Sequence, residues 1–360
     1  MSMMAFKNLL DPRVLTASYA QRDGARRYFL TEAYFQNPRP IEGQDYSLIF
    51  YPAMMDPAPG NQPGAEAHVL TPGPANARNA SLFCAFNKVP LPGEALNALR
   101  EPDSLAIQDM GRTTVSRVFD EFAERHKIFK EVVLAKTLVE GVVYLNAQGQ
   151  VLENSTNAVI SASFGVPAAN QGNLGGIIST LWDNSAALIG DQIDLIRNQA
   201  QLLNAAPPTD IWLHPNHKSS LRNNTQFNDW AKRNQAMITT VLQGDVIENL
   251  WGLNWHFYGG KYRGADGNMH DFIPTTQGFL TADPRDPWVR ATQGSTLVPK
   301  DLSLVNDWQA ALGNMEKFYG PFSYARLIDD PVTLYLYMGD KFGLHFADPN
   351  AIWQPTLFSA

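Results

Sequence analysis

Residues 103–139 carry the clearest periodicity in the chain: Val115, Val118, Phe119, Phe122, His126, Phe129 and Val133 recur at three- and four-residue spacing. That spacing predicts one apolar face of a long helix, with Asp103 as its N-cap and Gly111 as a point where its start bends or breaks. A second helix is predicted over about 184–203, with Ile189, Ile193, Ile196, Ala200 and Leu203 on one face and "NAAPP" ending it. Period two marks strands. In "VTLYLYMGDKFGLHF", Val332, Leu334, Leu336 and Met338 alternate with Thr333, Tyr335 and Tyr337. "GVVYLNAQGQVLE" reads as a hairpin turning at "AQGQ", 160–164 as another strand, and "GVPAANQGNLGG" as a surface loop. "TDIWLHP" predicts a short strand stopped by Pro215, "NHKSSLRNNTQFNDWAKRNQ" short helices, and 246–300 mostly strands. The mixture predicts an α+β chain.

The stretch 37–102 has a different character. Pro and Gly punctuate it throughout, so no long helix fits. "YSLIFYP" at 46–52 and "SLFCAF" at 81–86 read as the two strands of a long open hairpin. A two-stranded hairpin is marginal in water, yet Phe50, Tyr51, Leu70, Phe83 and Phe86 are too apolar for a solvated linker. The expectation is that another subunit covers them, with Tyr46 as a further contact candidate.

Composition narrows the function. The chain has 360 residues, 44% of them hydrophobic, enough for two domains or one elaborated one. A formal charge of -7 gives no overall attraction to phosphate, which disfavours a DNA-reading role. Cys84 is the only cysteine, so an intrachain disulfide and a multi-cysteine zinc site are excluded. Its apolar neighbours predict a buried structural thiol. "MSMMAFKNLLDPRVL" lacks a signal-peptide core and no stretch approaches the ~20 apolar residues that span a bilayer, so synthesis in the cytosol and no membrane partner are expected.

Candidate chemistry is thin. "YGGKYRGADGNMHDFIP" gathers Tyr262, His270 and several charges, but "GADG" places Asp266 and Gly267 at a tight turn. A hairpin with its charges facing solvent or a sister subunit is the stronger reading. "HPNH" offers His214 and His217, and with His270 these define the enzyme alternative, a metal-dependent hydrolase. Against it, the HExxH spacing and a carboxylate at a useful offset are missing. Asp329 and Asp330 precede Pro331 and read as a turn. "QGNLGG" matches no phosphate-binding pattern, and no GxSxG is present. No catalytic residue, metal or cofactor is expected.

The order of these elements resembles the major capsid proteins of tailed bacteriophages, most of all the lambda-type major capsid protein E family. "LTEAYF" is similar to that family's start-of-arm pattern, and "FNKVPLPGEALNALREPDSL" to its return from the extended loop into the spine helix. "TDIWLHPNHKSSLRNN", "HFYGGKYRGADGNMHDFIPTTQGFL" and "DDPVTLYLYMGDKFGLHFADPNAIWQPTLF" resemble its axial-domain strand and helix, its Tyr-rich hairpin and its closing strands. The resemblance implies a Hong Kong 97-type capsid fold. Its parts are an N-terminal arm (1–36), an extended loop hairpin (37–102), a peripheral domain with the spine helix (103–185), an axial domain (186–325) and C-terminal strands returning to the peripheral domain (326–360). It implies self-assembly into hexamers and pentamers of an icosahedral head around double-stranded DNA, with scaffold, portal and decoration proteins as further partners. The head would be assembled in the host bacterial cytoplasm and would end in the virion. An encapsulin-like nanocompartment shell is the alternative with the same fold.

Overall fold

In the computed structural model of the chain the described residues are 12–20, 28–42, 45–50, 76–91, 105–233, 244, 246–299, 315–329 and 332–359. The chain divides into two compact units. The first comprises Met1–Tyr46, Ser81–Glu131 and Ala291–Gly343, the second Ser47–Ala80, Val132–Arg290 and Leu344–Ala360.

In chain order come α1 (Pro12–Ala20), α2 (Phe29–Tyr34), β1 (Arg39–Ile41), β2 (Asp45–Phe50), β3 (Asn76–Ser81), β4 (Phe83–Pro90) and the 36-residue α3 (Leu105–Glu140). Then follow β5 (Val142–Leu145), β6 (Val151–Leu152), β7 (Ile160–Ser163), β8 (Gln171–Gly172), α4 (Ile189–Leu202), β9 (Asp210–Leu213), α5 (His217–Asn223) and α6 (Thr225–Arg233). Strands dominate the remainder: β10 (Val246–Leu250), β11 (Leu253–Phe257), β12 (Lys261–Arg263), β13 (Met269–Asp271) and β14 (Phe279–Thr281). The last are β15 (Val289–Pro299), β16 (Met315–Tyr319), β17 (Phe322–Asp329), β18 (Val332–Phe346) and β19 (Ile352–Pro355).

In the first unit, β1, β15, β18 and β17 form a sheet in that order, with β16 added to β15 and β4 to β18. Alternation along β18 sets its two faces. Leu334, Leu336 and Met338 are buried with Phe119 and Ala123 of α3, while Tyr335 and Tyr337 stay half-buried on the other side. α1 lies on β17, where the Thr16 hydroxyl donates to Ser323 O and receives Ser323 N–H. The predicted α3 stripe is realised in Phe119, His126 and Val133, all buried. Gly111 neither breaks nor ends α3, which is continuous through it; Asp103 lies outside the described residues.

The second unit holds a sheet ordered β10-β11-β9-β14-β19-β8, parallel at β11/β9 and β19/β8 and antiparallel elsewhere. β9 is buried at all four positions, which explains why "DIWL" shows no alternation. Ile189, Ile193, Ile196 and Ala200 of α4, Leu221, Phe227, Trp182, Trp255 and Trp353 make one core. β5, β6 and β7 form a three-stranded sheet beside it in sequence.

Two expectations need correction. "SLFCAF" does not pair with "YSLIFYP": β2 pairs with β3, and the phenylalanine-rich stretch continues as β4, antiparallel to β18. Its in-out alternation, Phe83 and Ala85 buried against Cys84 and Phe86 exposed, suits a sheet with one covered face better than a free ribbon. "GVPAANQGNLGG" is not merely a surface loop. Asn170 and Leu174 are buried, and Asn170 Nδ2 donates to Ile352 O at 3.1 Å, because β8 completes the sheet edge next to β19.

Candidate functional site

Two rings share a row on the face of the first-unit sheet turned away from α3. Phe86 of β4 and Phe322 of β17 both stand opposite Gly339 of β18, and their ring centroids are 5.8 Å apart. In the next row Tyr324 is opposite Tyr337, stacked at 4.9 Å and 6°, and Phe86 also stacks on Tyr337 at 5.8 Å. Lys88 Nζ lies 5.2 Å above the Tyr335 ring. Gly339 makes the row possible: a Cβ there would fall 2.5 Å from Phe322 Cζ and 2.9 Å from Ala85 O. The result is a flat aromatic shelf with a cationic margin. Phe322 is covered, whereas Phe86 is 51% exposed.

Of the six contact candidates, Phe86 therefore stands open on the surface, while Phe83 is 5% exposed and packs on Phe342 at 6.0 Å. Tyr46 and Phe50 belong to β2, but their side chains, like Tyr51 and Leu70 as a whole, lie outside the described residues. Cys84 is exposed; the expected buried thiol is overturned because β4 alternation turns it to the same side as Phe86, opposite Lys341.

The other face of the sheet is held to α3 by polar groups. Lys130 Nζ pairs with Asp340 at 2.6 Å, both nearly enclosed, and lies 4.2 Å over Phe35 and 5.0 Å over Phe342. Asn87 Nδ2 meets His126 Nε2 at 3.0 Å, tying β4 to the helix. Burial lowers the His126 pKa to about 4; Asp340 offsets part of this and Lys130 adds to it. The buried Glu131 carboxylate accepts from Leu30 N, Thr31 N and the Thr31 hydroxyl at 2.6–2.9 Å, satisfying donors at the start of α2 that no helical carbonyl can reach.

The "YGGKYRGADGNMHDFIP" stretch is the predicted hairpin: β12 and β13 pair antiparallel, Gly267 has φ 82°, and Asp266 Oδ1 accepts Asn268 N–H. Its polar residues do not all face outward, however. Tyr262 is 5% exposed and donates to Glu153 at 2.5 Å, and Glu153 also receives Lys136 at 2.7 Å. Burial and the Glu153 charge push the Tyr262 hydroxyl pKa up. Burial favours a neutral Glu153, but hydrogen bonds from Lys136 and Tyr262 outweigh it and its pKa is lowered. An interior lock needed these groups more than solvent did.

The three histidines of the hydrolase alternative do not converge on a metal. His217 stacks face to face on Phe358 with centroids 3.3 Å apart, and burial lowers its pKa to about 4. His214 Nε2 turns to Asp271 at 3.5 Å and His270 Nε2 to Asp266 at 3.0 Å. Among the described residues no group of three or more His, Cys, Asp and Glu could hold an ion, and no helix is long and apolar enough to cross a membrane.

One acid–base contact was missed in the sequence. His256 Nε2 bonds Asp210 Oδ1 at 2.8 Å while its ring stacks on Trp212 at 4.3 Å and 16°. The parallel register Trp212↔His256 creates this contact, and no local spacing announces a partner 46 residues away. Asp210 also accepts the Thr209 hydroxyl at 2.7 Å, so the pair serves to lock neighbouring strands.

Comparison with known proteins supplies what side chains alone do not. The family model "Phage major capsid protein E" matches residues 11–302. Searching the curated proteins finds no match. Among solved structures, a phage-related protein of Bordetella bronchiseptica RB50 is similar over 96% of each chain, with 9% identity and a TM-score of 0.49. A protein of E. coli CFT073 assigned as a prophage capsid protein is similar over 79% of each chain, with 15% identity and a TM-score of 0.48. The capsid of cyanophage A-1(L) is similar over 94% of this chain and 95% of its own, with 10% identity and a TM-score of 0.46. With its family model covering most of its length and its order of arm, hairpin, long helix and mixed sheets, the chain belongs to the phage major capsid protein E family.

Proposed function

We propose that this major capsid protein builds the head of a tailed bacteriophage as hexamers and pentamers of an icosahedral shell around double-stranded DNA, and that it performs no catalysis. The family match over residues 11–302 carries the reading. In the shell, 103–185 serve as the peripheral domain, 186–325 as the axial domain, and 37–102 lie across a neighbouring copy.

The aromatic shelf supports this. A half-exposed phenylalanine stacked on Tyr337 beside Lys88 offers a flat apolar contact with a charged rim, the make-up of a protein interface rather than of a reaction site. Many modest contacts of this kind add by avidity in a closed shell. A net charge of -7 keeps the shell from gripping DNA phosphates tightly, so scaffold, portal and decoration proteins, more than the genome, are its specific partners. Assembly takes place in the bacterial cytoplasm.

Electron microscopy of the purified full-length protein tests the reading. Closed shells of uniform diameter are expected. A protein that stays monomeric under every assembly condition overturns it, and shells that package an enzyme in place of DNA identify a nanocompartment instead.

A further inference from the structure

His217 opens α5 and is buried. One nitrogen of its ring donates to the Thr275 backbone carbonyl, while Nε2 is enclosed without a hydrogen-bond partner. The neutral ring tolerates this, because an unprotonated nitrogen carries no N–H to satisfy. A second proton would make Nε2 a buried donor with no acceptor, on a ring that has become a cation. Phe358 lies parallel to that ring, with 3.3 Å between centroids. The charges around it come from several elements. His214, just past β9, has its ring 6.3 Å away, with Nδ1 accepting Asn216 N–H and Nε2 turned to Asp271 of β13, which Lys261 of β12 also approaches. Asp183 lies in the loop before α4, and Lys218 reaches away to Gly244 O. Burial and His214 oppose a proton on His217, and they outweigh the Thr275 carbonyl and Asp183, which favour one.

Phe358 is the side of this stack that can move. Residues 356–359 follow β19 and, apart from a bridge between Thr356 and Gln277, belong to no strand or helix. Thr356 N–H donates to Gly172 O, Leu357 and Phe358 N–H to Thr276 O, and Trp182 N–H to Leu357 O, at 2.7–3.1 Å. Ser359 closes on the Asp183 carboxylate through its amide and its hydroxyl, and the Ser359 hydroxyl, with its amide, holds the Asp183 carboxyl below its usual range, so that contact persists while a histidine titrates. α5, by contrast, is anchored by the fully buried Leu221. A segment held by few bonds opens before the fold around it, and moving Phe358 aside lets water reach Nε2. We infer that the His217–Phe358 stack is an acid-sensitive latch: protonation of His217 expels Phe358 and releases residues 356–359 while the sheet core of the second unit stays folded. The closed latch binds fewer protons than the open one, so it is shut above about pH 6.5 and yields progressively as pH falls toward 4. The inference does not depend on how copies of the chain assemble.

The test is hydrogen exchange read by mass spectrometry on the full-length protein at pH 7, 5.5 and 4.5, with each rate corrected for the intrinsic pH dependence of amide exchange. Protection of the peptide carrying Leu357 and Phe358 is expected to fall at least about tenfold between pH 7 and 4.5, and at pH 4.5 the peptide carrying β9 should remain at least about tenfold the better protected. His217→Phe keeps a ring in the stack without a titrating nitrogen, and its tail protection should change less than about threefold over the same range. Phe358→Ala removes the lid and keeps the test open should His217→Phe not fold: its tail should exchange at least about tenfold faster than the parent's already at pH 7. Tail protection that is the same at pH 7 and 4.5 overturns the inference. Equal protection of the tail and β9 at pH 4.5 also overturns it, since the whole unit is then opening. So does a parental loss of protection in His217→Phe, or parental protection at pH 7 in Phe358→Ala.

Discussion

Phe322 lies across Gly339 so closely that a single added carbon would meet its ring edge at 2.5 Å. The glycine is there to make room, since a left-handed backbone is not what this position requires: Gly339 is absent from the residues with positive φ. Gly339→Ala is expected to destabilise the subunit by roughly 1–3 kcal/mol through overpacking, read as a lowered urea midpoint. Adding Phe322→Leu should recover part of the loss but not all, because Ala85 O, only 2.9 Å from the new carbon, cannot be trimmed. Full additivity of the two changes would refute the shared-space argument.

Glu131 is fully buried and gives both oxygens to α2. Glu131→Ala leaves two backbone donors without that acceptor and should cost about 2–4 kcal/mol. Limited proteolysis is the sharper readout: cleavage near 28–36 should accelerate while the α3 core stays resistant. Unchanged cleavage there would show that α2 is held by its apolar contacts alone.

Acid should weaken the subunit before its carboxylates titrate. Burial holds both His126 and His217 near pKa 4, below their ordinary 6.5. Between those values the unfolded chain binds protons that the folded chain refuses, so stability is complete above about pH 6.5 and declines as pH falls toward 4. His126→Gln, which keeps a partner for Asn87, should flatten part of that decline; the remainder belongs to His217 and to His214, whose pKa burial also lowers. Chemical unfolding at pH 7.5, 6, 5 and 4.5 gives the slopes, and a variant with the parental slope would clear His126 of the role.

Phe86→Glu tests the shelf as a contact. At 51% exposure its ring contributes little to the isolated fold, so the subunit should unfold within about 0.5–1 kcal/mol of the parent while shells form poorly or not at all. Normal shells from this variant would remove Phe86 from the interface.

Periodicity made α3, α4 and β18 legible in advance, since each buries one regular face. The long helix needed only Phe119, His126 and Val133 in step, and β18 only its alternating leucines. What escaped depended on distant partners. Nothing near "DIWL" shows that His256 will sit beside Trp212, and nothing in "GVPAANQGNLGG" shows that Asn170 will reach Ile352 O. Cys84 was misplaced for a related reason: its apolar neighbours were visible, but which face of β4 would be covered was decided by β18, 250 residues later in the chain. Of the six contact candidates, Phe83 and Phe86 differ by three positions and so point to opposite faces, a distinction available only once β4 was known to be a strand.

Gln354 of β19 donates to the carbonyls of Thr137 and Leu138 at 3.3 and 2.9 Å, close to the end of the long helix, while its own strand fills a place between β14 and β8. The helix leaves the ribosome more than two hundred residues before the group that closes off those carbonyls. A polypeptide interrupted anywhere in between lacks the strand that sits between β14 and β8, and Leu138 O loses the Gln354 amide, while Thr137 O keeps Gly141 N–H. The strand made last thus closes a place that was opened by elements made long before it.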